Sequence, residues 1–216
     1  MQKSLPLTIL IVLFSSFSYG CQVSVNESFH VRDGEKRSAG MNTVNGTIDI
    51  GKNCVVRGTC RTVNGRIQVG DNSIIKEIQS VNGSIDIGKN VTVKRDINTV
   101  NSAIRCDEGS NISGGIFAVN ANIKLNGCRV KDDIEVIVGK IVLRKKSEIH
   151  GSIIVEESDN KYEFDEPAAL NIYIEEGSLI KGDINIQQKD LDVRVYLSSG
   201  GKIFGEVFGA EVIQDD

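Results

Sequence analysis

One tripeptide returns along the chain at a near-constant interval: Val44-Asn45-Gly46, Val63-Asn64-Gly65 and Val81-Asn82-Gly83, then the altered copies Val100-Asn101-Ser102 and Val119-Asn120-Ala121. The period is about 19 residues. A unit this short cannot bury an apolar face of its own, so successive units must stack and share one continuous core. Counting from Val44, aliphatic residues or cysteine fall at offsets four, six, twelve and sixteen: Ile48, Ile50, Val56 and Cys60. The same offsets from Val81 give Ile85, Ile87, Val93 and Ile97. From Val100 they give Ile104, Cys106, Ile112 and Ile116.

Extended outward, the pattern reaches Phe29, Val31 and Met41 from an origin at Val25, with Arg37 interrupting it. It also reaches Ile172, Ile174, Ile180 and Ile184 from Ala168, and Val195, Leu197, Ile203 and Val207 from Leu191. These positions group as three short strands per coil, each with two inward side chains: offsets four and six, ten and twelve, and sixteen with the next zero. Period two suits the first two pairs. The third pair is three apart and calls for a bulge or corner. Gly and Asn, which tolerate positive φ, mark the corners at Gly51-Lys52-Asn53, Gly70-Asp71-Asn72 and Gly88-Lys89-Asn90. The expected fold is all-β: a single-stranded parallel β-helix of triangular section, about nine coils of 18–19 residues, roughly 43 Å long at about 4.8 Å per coil. Asn45, Asn64, Asn82, Asn101 and Asn120 should stack at one corner, amide to amide.

The domain reading is a leader over 1–20, a linker over 21–24, a β-helix over 25–210 interrupted by a loop at 156–167, and an acidic tail over 211–216. Lys3, the apolar run Leu5 to Phe17 and the small residues Ser18 and Gly20 have the layout of a secretory signal. Cys21 follows directly and resembles the lipidated cysteine of bacterial lipoproteins, although Ser18 stands where such signals usually carry Leu. That resemblance implies a membrane partner through Cys21 and a place in the cell envelope, on the periplasmic face of a bacterial membrane; cleavage without lipidation would give a secreted periplasmic protein. The remaining cysteines, Cys54, Cys60, Cys106 and Cys128, fit either bridges in an oxidising compartment or small core fillers.

The segments Ile48 to Cys60 and Ile149 to Ile153 resemble bactofilins and related triangular β-helices of bacterial envelopes. The Thr-Val-Asn-Gly repeats behind a lipoprotein-like leader, and the closing stretch Val193 to Leu197, are similar to exported β-helix proteins of proteobacteria. This resemblance favours a right-handed coil and raises the prospect of end-to-end polymerisation. The chain departs from bactofilins in its leader and lacks their long tails. Left-handed hexapeptide acyltransferases are the competing pattern, and their small residue at offset four is replaced here by Ile.

Chemistry is sparse. The two histidines, His30 and His150, lie far apart in coil order and neither has a nucleophile at a repeated spacing. The expected catalytic set, metal set and cofactor are therefore none, and the net charge of −4 argues against nucleic acid. The outward row at offset five runs Asp49, Gln68, Asp86, Arg105, Lys124, Val142, Tyr173 and Tyr196, shifting from polar to apolar. Tyr173 and Tyr196, with Tyr162 and Phe164 of the inserted loop, form the candidate binding face for an envelope polysaccharide or protein. The insertion holds six acidic residues between Glu156 and Pro167 without the ordered spacing of a calcium loop. The leading expectation is a non-enzymatic, lipid-anchored scaffold or binding rod. The alternatives are a bactofilin-like end-to-end polymer and a carbohydrate-active β-helix enzyme.

Overall fold

The computed structural model describes residues 22–157, 169–188 and 191–215. Among these there is no helix, and the strands join one 25-stranded sheet whose stacked coils make a β-solenoid of about nine turns. Neighbouring coils pair in parallel and in register. The strands fall into three stacks. The first face contains Phe29–Val31, Ile48–Ile50, Ile67–Val69, Ile85–Ile87 and Ser102–Cys106 and continues to Asp192–Ser198. The second is made mostly of two-residue segments such as Thr92–Val93 and Arg129–Val130, while Val55–Thr62 and Ile74–Ser80 run from it into the third. The third contains Met41–Thr43, Ile97–Thr99 and Ile153–Val155. Near the middle the corner between the third and first faces flattens, so that Ile116–Asn126 and Ile134–Arg144 each run through both.

The core follows from the register. Ile48, Ile67, Ile85, Ile104, Ile123, Ile141 and Ile172 stack in one row, each in contact register with the next. All are essentially inaccessible to solvent. β-Branched side chains suit such a row, because each fills the pleat of the coil beneath it.

One expectation is corrected here. Offset zero is not inward in the clearest repeats: Val44, Val63, Val81 and Val100 are half-buried and Val25 is exposed, whereas Ile137 and Leu191 at the same offset are buried. The inward partner of offset sixteen is the residue before it, giving the pairs Met41 with Thr43, Cys60 with Thr62, Ile78 with Ser80 and Ile97 with Thr99. The third face is thus a regular strand of period two. A search for aliphatic residues overlooks this column because its lower members are hydroxylic. Three of these hydroxyls are satisfied locally: Thr62 Oγ1 donates to the Gly46 carbonyl at 3.0 Å, Thr43 Oγ1 to that of Glu27 at 2.9 Å and Ser80 Oγ to that of Gly83 at 3.3 Å, whereas Thr99 Oγ1 is buried without a partner.

The same corner explains the tripeptide. The asparagine amides form a continuous ladder from Asn26 to Asn120, each Nδ2 donating to the Oδ1 of the coil before at 2.9–3.3 Å. Glycine is needed for close approach: a Cβ on Gly65 would sit 1.8 Å from the Gly46 carbonyl oxygen, and one on Gly83 1.8 Å from that of Gly65. The ladder stops at Val138, which is in register with Asn120.

Cys54, Cys60, Cys106 and Cys128 are all buried, as core fillers would be. The Cys106 thiol is pushed well up, first by its contact with Cys128 and then by burial. At the first coil Arg37 occupies an inward register position, level with Val56, and its guanidinium lies 5.8 Å from the centroid of the Phe29 ring. The interruption is a polar lid on the end of the core. At the other end the segment read as a tail carries a strand, Glu211–Asp215, paired with Asp192–Ser198. Its Val212 continues the inward row above Val195 yet is 41% exposed.

Candidate ligand-binding face

On the first face the outward residues align into a single column: His30, Asp49, Gln68, Asp86, Arg105, Lys124, Val142, Tyr173, Tyr196 and Ile213. The column changes character half-way. Its lower part alternates carboxylates with neutral groups, and its upper part begins with two cations and ends in aromatic and aliphatic residues. Parallel in-register stacking makes this possible, because each coil contributes to the same column whatever its chemistry.

Beside the column runs a second outward row, Ala103, Asn122, Lys140, Asn171 and Arg194. Where the two rows meet, Ala103, Asn122 and Val142 provide a low floor, and Arg105, Lys124, Lys140 and Arg144 stand around it, enclosing a concavity of about 290 Å³. Short side chains on the floor and long cationic ones on the rim are what give a flat sheet a depression. Arg144 donates to Glu175 at 2.6 Å, which raises its pKa, and Arg105 lies 3.3 Å from Asp86. Lys124 and Lys140 have no carboxylate within ion-pair distance among the described residues. Lys140 instead places its ammonium 4.4 Å from the centroid of the Tyr173 ring.

The structure brings two of the four expected aromatic residues together. Tyr173 and Tyr196 stack with centroids 4.7 Å apart and planes 8° from parallel. One face of the Tyr173 ring is turned to Tyr196 and the Lys140 ammonium lies against the ring as well, so Tyr173 offers no open ring face. Arg194 is held by the side chain of Tyr196, which raises its pKa, and by Asp192 at 2.9 Å. Tyr162 and Phe164 lie outside the described residues, as does Cys21. The cationic rim itself was visible only in part from the sequence: Arg105 and Lys124 stand in the offset-five row, whereas Lys140 and Arg144 belong to the neighbouring offsets three and seven.

The other titratable groups lie elsewhere. His30 Nδ1 is 3.0 Å from Asp49 at the solvent-exposed lower end of the first face. His150 sits on the second face between Glu148, at 2.9 Å, and Lys181, at 3.1 Å. On the third face Glu135 is raised to about 7, first by burial and then by Glu156, Asp133 and Asp132. Glu156 is raised too, by its own burial. Because the folded state holds the Glu135 proton above the usual carboxylate range, it binds more protons than the unfolded chain between about pH 4.5 and 7. Stability should therefore fall as pH rises through that window. Thermal melts at pH 5 and pH 8 should differ more for the wild type than for Glu135→Gln, and equal differences would show that Glu135 ionises without penalty.

Among the described residues no cluster of three or more metal-ligating side chains occurs, and no helix is long and apolar enough to cross a membrane. The chain matches no protein-family model, no curated protein and no solved structure.

Proposed function

We propose that this protein is an exported, non-enzymatic β-solenoid rod, anchored to the cell envelope by lipid on Cys21 and presenting the upper half of its first face to a ligand. One observation carries the binding part: the cationic rim around a shallow floor, with Lys124 and Lys140 lacking carboxylate partners among the described residues, on a chain of net charge −4. Elsewhere the repeat positions are occupied by groups that build the coil. Asn, Gly, Thr and Cys are absorbed by the ladder, the close corner, the buried hydroxyl column and the core. The carboxylates near Tyr173 are bound to arginines, Glu175 to Arg144 and Asp192 to Arg194, and this arrangement favours recognition over acid–base chemistry.

The anchor is tested by metabolic labelling with a fatty-acid analogue in a bacterial host. The wild type should carry label and sediment with membranes, and Cys21→Ala should lose both. Label retained in Cys21→Ala would sink the anchor.

A second reading, end-to-end assembly of the kind the bactofilin resemblance suggests, is favoured by the far end of the solenoid. There Phe204, Phe208 and Val212 are 68%, 48% and 41% exposed, and at the opposite end, where Arg37 lies over Phe29, Val23 and Val25 are 49% and 59% exposed. Light scattering at high protein concentration decides it: a monomer at all concentrations removes this reading.

A further inference from the structure

Building on the first face as a ligand surface, we propose that its ligand is a linear polysaccharide bearing one carboxylate per sugar residue, lying along the solenoid axis across Arg105, Lys124, Lys140 and Arg144.

Three features of the face lead to this chemistry. The cations recur coil by coil: Arg105, then Lys124, then Lys140 with Arg144, on consecutive in-register strands. Parallel coils stack about 4.8 Å apart, so the cations are spaced along the axis on the scale of the sugar residues of an extended chain, and the carboxylates on the side of the polymer turned to the face meet them. The concavity is bounded by Arg105, Lys124, Lys140 and Arg144 at its sides but lies on an open sheet. A polymer can therefore enter and leave along the axis, which a pocket closed at both ends would prevent.

Charge sets the footprint. Below Arg105 the column turns to Asp86, Gln68 and Asp49, whose two carboxylates repel a polyanion. Above Lys140, Asn171 and Arg194 continue the flanking row, and the Arg194 guanidinium is already shared with Asp192 and Tyr196. Lys124 and Lys140 are the cations with most to gain, since neither has a carboxylate at ion-pair distance among the described residues. Arg105 and Arg144 each hold one carboxylate and retain further guanidinium donors for a second acceptor.

The tyrosine pair has a different part from a flat sugar-stacking platform. Stacked on Tyr196, Tyr173 seats the Lys140 ammonium at 4.4 Å and so holds that donor beside the floor of the depression. Tyr173 is a positioning residue, and its loss should weaken binding less than loss of the charge it places.

The test uses the full-length protein and immobilised polygalacturonate, with fully methyl-esterified polygalacturonate, poly-L-glutamate and duplex DNA as competitors. Polygalacturonate should bind, and binding should weaken at least tenfold in K124E/K140E and several-fold in Tyr173→Ala, with unchanged circular dichroism. Lys94→Glu, on the second face, should bind as the wild type does. The methyl ester should compete at least tenfold less well than the free acid. Equal competition by the ester would remove the carboxylate from the recognition, and poly-L-glutamate or DNA competing as well as polygalacturonate would reduce the face to a general cation patch. Either result overturns the proposal, as does K124E/K140E binding like the wild type. Lipid labelling reads the anchor separately, so a labelled rod that ignores polygalacturonate sinks the ligand class and leaves the anchored rod standing.

Discussion

Gly65→Ala should lower the melting temperature by roughly 6–12 °C, corresponding to about 3 kcal/mol for a chain of this size. The added methyl would lie 1.8 Å from the Gly46 carbonyl oxygen and 2.8 Å from Thr62 Oγ1. The first contact is with backbone, so no side-chain rotation relieves it. The coils must separate locally, which pulls on the Asn64 to Asn45 amide bond and on the buried Thr62 hydroxyl that donates to the same Gly46 carbonyl. Gly34→Ala is the informative comparison: its φ is +75° but nothing lies within 4 Å of the new Cβ, so it should cost only about 1–2 kcal/mol, the ordinary penalty of a left-handed residue. Equal melting temperatures for the two variants would show that the corner relaxes and that close approach is not what selects glycine. Ser102 and Ala121 carry a side chain at the aligned position because the chain there has left the tight corner. Asn101 takes a φ of 50°, a strand begins at Ser102, and one coil later Ile116–Asn126 runs straight through.

Ile104→Asp should have the larger effect and prevent stable folding of the middle coils. Ile104 is fully buried between Ile85 and Ile123 in the isoleucine row, with no polar group facing it from either neighbour. An ionised carboxylate there is an unpaired charge in a dry core, worth several kcal/mol even after the site relaxes. In a solenoid each coil contacts only its neighbours, so the damage is not shared across the molecule as it is in a globular core. Limited proteolysis should cut near the altered coil and release the two flanking stacks, whereas Ile104→Val should cost about 1 kcal/mol and leave the proteolytic pattern unchanged. A protease-resistant Ile104→Asp variant with a wild-type melt would mean that the row is not the core described.

The architecture was legible in the sequence because a parallel in-register solenoid repeats its demands every coil. Ile at offsets four and six, small residues at offset ten and glycine at the corner recur often enough to be read without any tertiary knowledge. The error at offset zero has the same origin. Val44, Val63 and Val81 are the most regular aliphatic residues in the chain, but regularity is not burial: they cover the outside of the corner while Thr43, Thr62 and Ser80 go inside. Buried hydroxyls are invisible to a hydrophobic pattern, and only the carbonyl that each of these three reaches shows why they are tolerated.

The candidate site was half legible. A single outward row, read one offset at a time, showed Arg105, Lys124, Tyr173 and Tyr196 but presented them as a drift from polar to apolar. Lys140 and Arg144 sit on neighbouring offsets of the next coil, and their convergence with Arg105 and Lys124 depends on lateral distances across the sheet, which a one-dimensional period does not contain. The aromatic pair changed meaning in the same way: adjacent coils and equal offsets place two tyrosines in contact, but the 8° between their planes decides that they stack face to face, which with Lys140 leaves no open face on Tyr173. The sequence alone determined what repeats along the axis, because each coil must fit the one beneath it. Everything that lies across the axis was decided by the tertiary structure: which side of a corner a residue takes, which cations share a depression, and which ring faces are already used. The reason is that these depend on the twist and spacing of three faces at once.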